Sequence, residues 1–136
     1  MIAALQSGPT RVNTVLVVDD DEAIRETIKE VLQEQGFSVA TARNGAEALA
    51  WLRASTAPAL ILLDLSMPMM DGQTFRQEQR KDPLLAPIPV IAISAAAGLA
   101  EKVRPMQIDG YLRKPMALDD LISTVGRYCT GVSPGP

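Results

Sequence analysis

The sequence predicts an α/β domain in which a doubly wound, five-stranded parallel sheet carries helices on both faces. Three observations carry this reading. Five short apolar runs alternate with five stretches of helical periodicity. The runs are almost continuously apolar, as strands buried on both faces are. The chain has 136 residues and is 47% hydrophobic, which fits one ordinary domain with short tails.

Each element has a local reason. Residues 1–13, with Ser7-Gly8-Pro9-Thr10 near their end, read as a flexible leader to a domain spanning 14–129. Val15-Leu16-Val17-Val18 is a β-branched run too short for a helix. Ile24, Ile28, Val31 and Leu32 recur at helical spacing, and Gly36 stops that helix. Phe37 to Thr41 is a second short strand, and Asn44-Gly45 opens a helix with Ala46, Leu49 and Leu52 on one face. Leu60-Ile61-Leu62-Leu63 follows Pro58 as the third run, and residues 72 to 80 are helical. Ile88 to Ile93 is the fourth run, with Pro89 confined to its start because proline cannot donate to a ladder. A short helix over 98–104 ends at Pro105, and Tyr111-Leu112 is a brief fifth strand. Leu118, Leu121, Ile122 and Val125 form the last amphipathic face, and residues 130–136 are a flexible tail rich in Gly and Pro.

Composition removes several chemistries. Without histidine there are no histidine metal ligands and no Ser-His or Cys-His catalysis. Cys129 is the single cysteine, so no internal disulfide forms and a reducing, cytoplasmic location is expected. A net charge of −3 with no basic run argues against a direct nucleic-acid partner. No apolar stretch approaches the ~20 residues of a membrane span. Met1-Ile2-Ala3-Ala4-Leu5 has no basic flank and is too short for a signal peptide.

Open parallel sheets place their chemistry beyond the carboxyl ends of the strands. There stand Asp19-Asp20-Asp21-Glu22 after the first run, Asp64 after the third, Ser94 after the fourth, and Lys114 with Pro115 after the fifth. Parallel strands lie about 4.8 Å apart, so carboxylates of the first and third runs meet if those strands are neighbours. Two carboxylates about 4 Å apart repel by roughly 4 kcal/mol at an effective dielectric near 20. A hard cation offsets this, and oxygen ligands without histidine or paired cysteine suit Mg²⁺ better than Zn²⁺. The plainer reading of Asp21 and Glu22 is a helix cap favoured by the dipole. Asp64 resists that explanation, because a lone carboxylate directly behind an apolar run is costly to bury. Ser94 and Lys114 gain weight only from standing at strand ends with the others.

Four motifs in order, with matching gaps, are together highly specific. They are Val15-Leu16-Val17-Val18-Asp19-Asp20, Leu62-Leu63-Asp64-Leu65-Ser66-Met67-Pro68-Met69-Met70-Asp71-Gly72, Val90-Ile91-Ala92-Ile93-Ser94-Ala95 and Tyr111-Leu112-Arg113-Lys114-Pro115. On these the chain resembles the receiver domain of bacterial response regulators, from about Asn13 to Tyr128. The resemblance implies a flavodoxin-like strand order of 2-1-3-4-5 and a phosphorylation-activated switch in a two-component or phosphorelay system. Asp64 would accept a phosphoryl group from a phosphohistidine on a sensor histidine kinase or a histidine phosphotransfer protein. Asp20 and Asp64 would ligate Mg²⁺, with Asp19 helping through water and the backbone carbonyl of Ser66 completing the protein ligands. Ser94 and Lys114 would each hold a phosphoryl oxygen, with Ala95 beside them as a cofactor-binding position. The Lys114–Pro115 bond would be cis. Ser94 moving toward the phosphoryl group would free space into which Tyr111 turns, reshaping the face of the fourth helix, fifth strand and fifth helix. Catalysis would be limited to self-phosphorylation and self-dephosphorylation at Asp64, and a weak or phosphorylation-dependent homodimer would be compatible with this role.

The sequence departs from the family pattern in two places. Gln73, Arg76 and Gln79 stand where aliphatic residues are usual, leaving Phe75 as the firm core anchor of residues 72–80. That predicts the least protected helix of the domain. The segment from Ser94 to Lys114 is short, Pro105 cuts its helix, and Met106-Gln107-Ile108-Asp109-Gly110 replaces the usual small-residue turn. Two other readings stay open. The short fourth helix fits a phosphate-independent interaction module. Val17-Val18-Asp19-Asp20-Asp21 also resembles the nucleophile motif of haloacid-dehalogenase-type phosphatases, with Asp19 as nucleophile, although Ala23 breaks that pattern and Asp64 would have no role.

Overall fold

The structure, a computed structural model, describes residues 10–65 and 72–129. Its elements run β1 (Thr10–Val18), α1 (Glu22–Glu34), β2 (Ser38–Ala42), α2 (Gly45–Ala54), β3 (Ala57–Asp64), α3 (Gly72–Lys81), β4 (Val90–Ser94), α4 (Leu99–Val103), β5 (Gly110–Arg113) and α5 (Leu118–Gly126). A 3₁₀ turn, Arg104–Met106, follows α4 directly. The strands form one parallel five-stranded sheet in the order β2-β1-β3-β4-β5. The chain therefore starts inside the sheet and reverses direction between β1 and β3, the topological switch point where such sheets bind ligands.

The continuous apolar runs are explained by two cores. Leu16, Val18, Ile61, Leu63, Val90 and Ala92 pack on one face with Leu49 of α2, Phe75 of α3 and Leu99 of α4. Val15, Val17, Leu60, Leu62, Ile91 and Ile93 pack on the other with Ile28 and Leu32 of α1 and Leu121 and Val125 of α5. Successive side chains of a strand point to opposite faces, so burial on both faces demands an apolar residue at every position.

Caps set the helix starts. Asp21 Oδ1 accepts from the Ile24 amide at 3.1 Å to cap α1. Asn44 Oδ1 accepts from the Glu47 amide at 2.8 Å to cap α2, while Glu47 Oε1 accepts from the amide of Arg43, the residue before the cap, at 2.8 Å. Gly36 supplies the left-handed residue after α1 (φ 95°).

Several sequence expectations are corrected. β1 begins at Thr10, inside the segment expected as leader, with Thr10 and Arg11 opposite Ala57 and Pro58. The rest of that leader, residues 1–9, and the tail, 130–136, lie outside the described residues. Phe37 precedes β2 and is buried against α1 instead of opening the strand. Ala46 faces solvent and Ala48 takes its place inward. Leu118, expected on the buried face of α5, is 49% exposed. As expected, the α-helix stops just short of Pro105, at Val103, and Pro105 itself stands in the 3₁₀ turn that follows.

The largest correction concerns α3. Besides Phe75, its Arg76 and Gln79 are buried, so the helix is not thinly anchored. Arg76 donates to the carbonyls of Met106 and Gln107 and to Gln79 Oε1. Gln79 Nε2 donates to the carbonyls of Leu85 (2.9 Å) and Ile88 (3.1 Å). Polar side chains can stand in a core when every polar atom is met, and here they satisfy the carbonyls of two irregular connections. Burial depresses the Arg76 pKa below its ordinary value, Arg80 lowers it further, and Asp109 opposes them.

Candidate functional site

The carboxyl ends of β1, β3, β4 and β5 open into a cavity of about 490 Å³ lined by Asp19, Asp20, Asp21, Ile24, Asp64, Ser94, Ala95, Ala96 and Lys114. The parallel register puts Val18 opposite Leu63, so Asp19 and Asp64, each one residue on, stand side by side. Oxygens of Asp19, Asp20 and Asp64 lie within 4.8 Å of one another. Asp19 and Asp64 are buried, whereas Asp20 is exposed.

Asp19 is held at every polar atom. Its amide donates to Ala42 O at 3.1 Å, and its carbonyl accepts from Arg25 Nη1 at 2.9 Å. Its Oδ1 accepts from the Asp21 amide at 2.9 Å, and its Oδ2 accepts from Lys114 Nζ at 3.2 Å. The same Lys114 ammonium lies 3.9 Å from Asp64 Oδ1, so one cation spans two buried carboxylates. It offsets only part of the repulsion among three. The Lys114–Pro115 peptide bond is cis, and the Lys114 amide donates to Ser94 O at 3.0 Å, tying the β5 exit to the end of β4.

Ser94 is buried, and its Oγ accepts from the Ala96 amide at 3.0 Å, leaving the hydroxyl proton to act as a donor. Ala95 and Ala96 line the cavity beside it. Tyr111, on β5 opposite Ala92, is 43% exposed and stands outside this cavity. Ser66 lies outside the described residues. Asp21 is the α1 cap and also lines the cavity, so its plain structural reading holds.

The donor set suits Mg²⁺. Three carboxylates offering oxygen at close range match a small hard cation, with open space left in the cavity beside them. A second cavity, about 480 Å³ and almost wholly apolar, opens beside the first between α1 and the loop before α5. Ile24, Ala95 and Lys114 border both. Sequence patterns point to neither this apolar surface nor Arg25. An arginine between Glu22 and Glu26 reads as part of a solvated helix face, yet Arg25 is buried.

The fold agrees with that of known proteins. The family model for the response regulator receiver domain matches residues 15–126. The chain belongs to the response regulator receiver family. It is 34% identical over 122 residues to the response regulator MprA of Mycobacterium sp. (strain KMS), covering 88% of this chain and 52% of that protein. This receiver thus spans about half the length of the curated relatives it matches. Among solved structures, the Vibrio cholerae chemotaxis response regulator CheY4 superposes with TM-score 0.79 at 29% identity, covering 87% of this chain and 99% of that one. The receiver domain of a signal transduction histidine kinase from Syntrophus aciditrophicus gives 0.78 at 32%, covering 91% and 95%. The receiver fold and its two-component class replace the phosphatase reading. Among the described residues no helix of this receiver is long and apolar enough to cross a membrane.

Proposed function

We propose that this receiver accepts a phosphoryl group on Asp64, with Mg²⁺ held by Asp20 and Asp64 and, through water, by Asp19. The observation that carries the reading is the convergence of three carboxylates and Lys114 on one cavity at the switch point. Bound Mg²⁺ would neutralise charge on the carboxylates and on the incoming phosphoryl oxygens. The chain's own residues do the rest. An Asp64 oxygen attacks phosphorus in line, forming an acyl phosphate as the bond to the donor breaks. Lys114, already 3.9 Å from Asp64, shifts its contact to a phosphoryl oxygen, and the Ser94 hydroxyl donates to another. The Ala95 backbone stands beside that group. Ser66, outside the described residues, would complete the metal ligands through its carbonyl. Ser94 then leaves room for Tyr111 to turn from its exposed position.

The donor is a phosphohistidine on a cytoplasmic kinase or phosphotransfer protein. The apolar cavity beside the acidic one supports this, because a partner helix seated there presents its histidine to Asp64. Catalysis stays limited to forming and hydrolysing the Asp64 acyl phosphate.

Incubation with Mg²⁺ and acetyl phosphate should add one phosphoryl group, labile to base and to hydroxylamine. Asp64→Asn should abolish it, because an amide oxygen cannot replace a carboxylate nucleophile. Labelling retained at the wild-type level in Asp64→Asn sinks the assignment. Absent labelling with Mg²⁺ binding intact favours a phosphate-independent module instead.

A further inference from the structure

Arg25 is buried at 8% exposure on α1, and its Nη1 donates to the Asp19 carbonyl oxygen at 2.9 Å. Its own amide donates to Asp21 O at 2.9 Å, so both ends of the residue grip the acidic turn. Asp20, by contrast, is exposed and makes no hydrogen bond or ion pair among the described residues. The direction of its carboxylate is therefore set by its backbone, through the Asp19–Asp20 peptide whose oxygen Arg25 holds. Lys114 cannot do this work throughout. Its contact is with the Asp19 side chain, and that contact loosens once Lys114 turns toward a phosphoryl group.

We propose that Arg25 is a positioning residue for the metal site, holding the Asp19–Asp20 peptide so that Asp20 meets Mg²⁺ alongside Asp64. The proposal rests on the Mg²⁺ reading above. Groups that orient metal ligands without touching the metal commonly change affinity by about 10–100-fold when removed. The rival role for Arg25 is a plain positive charge near a cation site, and the two predict opposite signs. Loss of a nearby positive charge tightens Mg²⁺ binding. Loss of a positioning contact weakens it.

The test is a titration of the unphosphorylated protein with MgCl₂, followed by amide chemical shifts, in wild type, Arg25→Met and Arg25→Lys. Arg25→Met should weaken Mg²⁺ about tenfold or more. Arg25→Lys keeps the charge and one donor, and should recover most of the affinity. If Arg25→Met does not fold, Arg25→Leu, which likewise removes both the charge and the donor, carries the same comparison. Unchanged or tighter binding in a folded Arg25→Met or Arg25→Leu overturns the positioning role while leaving the metal site standing. Failure of the wild type to bind Mg²⁺ overturns the metal reading itself, and this proposal with it.

Discussion

Arg76 Nε donates to the carbonyl oxygen of Met106 at 3.0 Å, joining residues thirty positions apart. The same guanidinium donates from Nη2 to Gln107 O at 2.7 Å and from Nη1 to Gln79 Oε1 at 2.8 Å. Met106 closes the 3₁₀ turn, and Gln107 after it adopts a left-handed conformation (φ 53°). The carbonyls at such an end lack intrahelical partners, and a cation there is favoured by the helix dipole. The short connection from β4 to β5 is thus closed by a side chain of α3.

Arg76→Met should destabilise the domain by roughly 2–3 kcal/mol. The substitution strands the buried Met106 carbonyl and the half-buried Gln107 carbonyl, and hydrogen bonds to a charged donor are worth about 1.5–3 kcal/mol each before the relief of desolvating the cation is subtracted. Urea unfolding curves will measure it, and a midpoint equal to wild type would contradict the role given to the network. Amides of residues 76–80 should exchange slowly, against the expectation from the helix's polar sequence alone.

Asp20→Asn should lower Mg²⁺ affinity strongly and slightly raise stability without metal, by about 1 kcal/mol or less because Asp20 is exposed to solvent. Adding Mg²⁺ should raise the melting temperature of wild type, since ligand binds the folded state only, and raise it far less in the variant. Paired thermal melts with and without MgCl₂ decide this. A variant less stable than wild type in the absence of metal would count against repulsion in the acidic cavity.

Gly72→Ala should destabilise, although alanine ordinarily gains about 0.5–1 kcal/mol over glycine in a helix. A Cβ on Gly72 would stand 2.7 Å from Leu65 Cδ2, 2.9 Å from Leu65 Cα and 3.0 Å from Asp64 O. Two of these contacts are backbone and cannot rotate away. Overpacking of this kind costs about 1–3 kcal/mol, which exceeds the helical gain. Because the clash falls on Asp64 and Leu65, acetyl phosphate labelling should also slow. A stabilised variant with full labelling rate would refute the close approach.

Cys129 should resist thiol reagents in the native state at neutral pH. It is buried against Val125 and Leu121, and burial pushes its thiol from 9.0 up to about 11. The folded state therefore holds the proton more tightly than the unfolded chain. This contribution is complete below pH 9 and is lost as pH rises toward 11, amounting to roughly 2–3 kcal/mol in all. Unfolding free energies measured across that window should fall more steeply in wild type than in Cys129→Ala. Equal slopes would remove the thiol from the account.

The fold class and the identity of Asp19, Asp20, Asp64, Ser94 and Lys114 were legible in the chain because both follow from local rules. Apolar runs report burial on two faces, and strand ends report where an open parallel sheet does its chemistry. What separated Asp19 from Asp20 was not local: β1 pairs β3, which buries the first beside Asp64 and leaves the second at the rim. Tertiary structure alone also decided the fate of Arg25, Arg76 and Gln79. A polar side chain is solvated or buried according to whether acceptors wait for it. For Arg76 those acceptors are the Met106 and Gln107 carbonyls, freed by a helix that ends early in a distant part of the sequence. Periodicity measures the cost of burying a residue, but the partners that offset that cost exist only once the chain has folded.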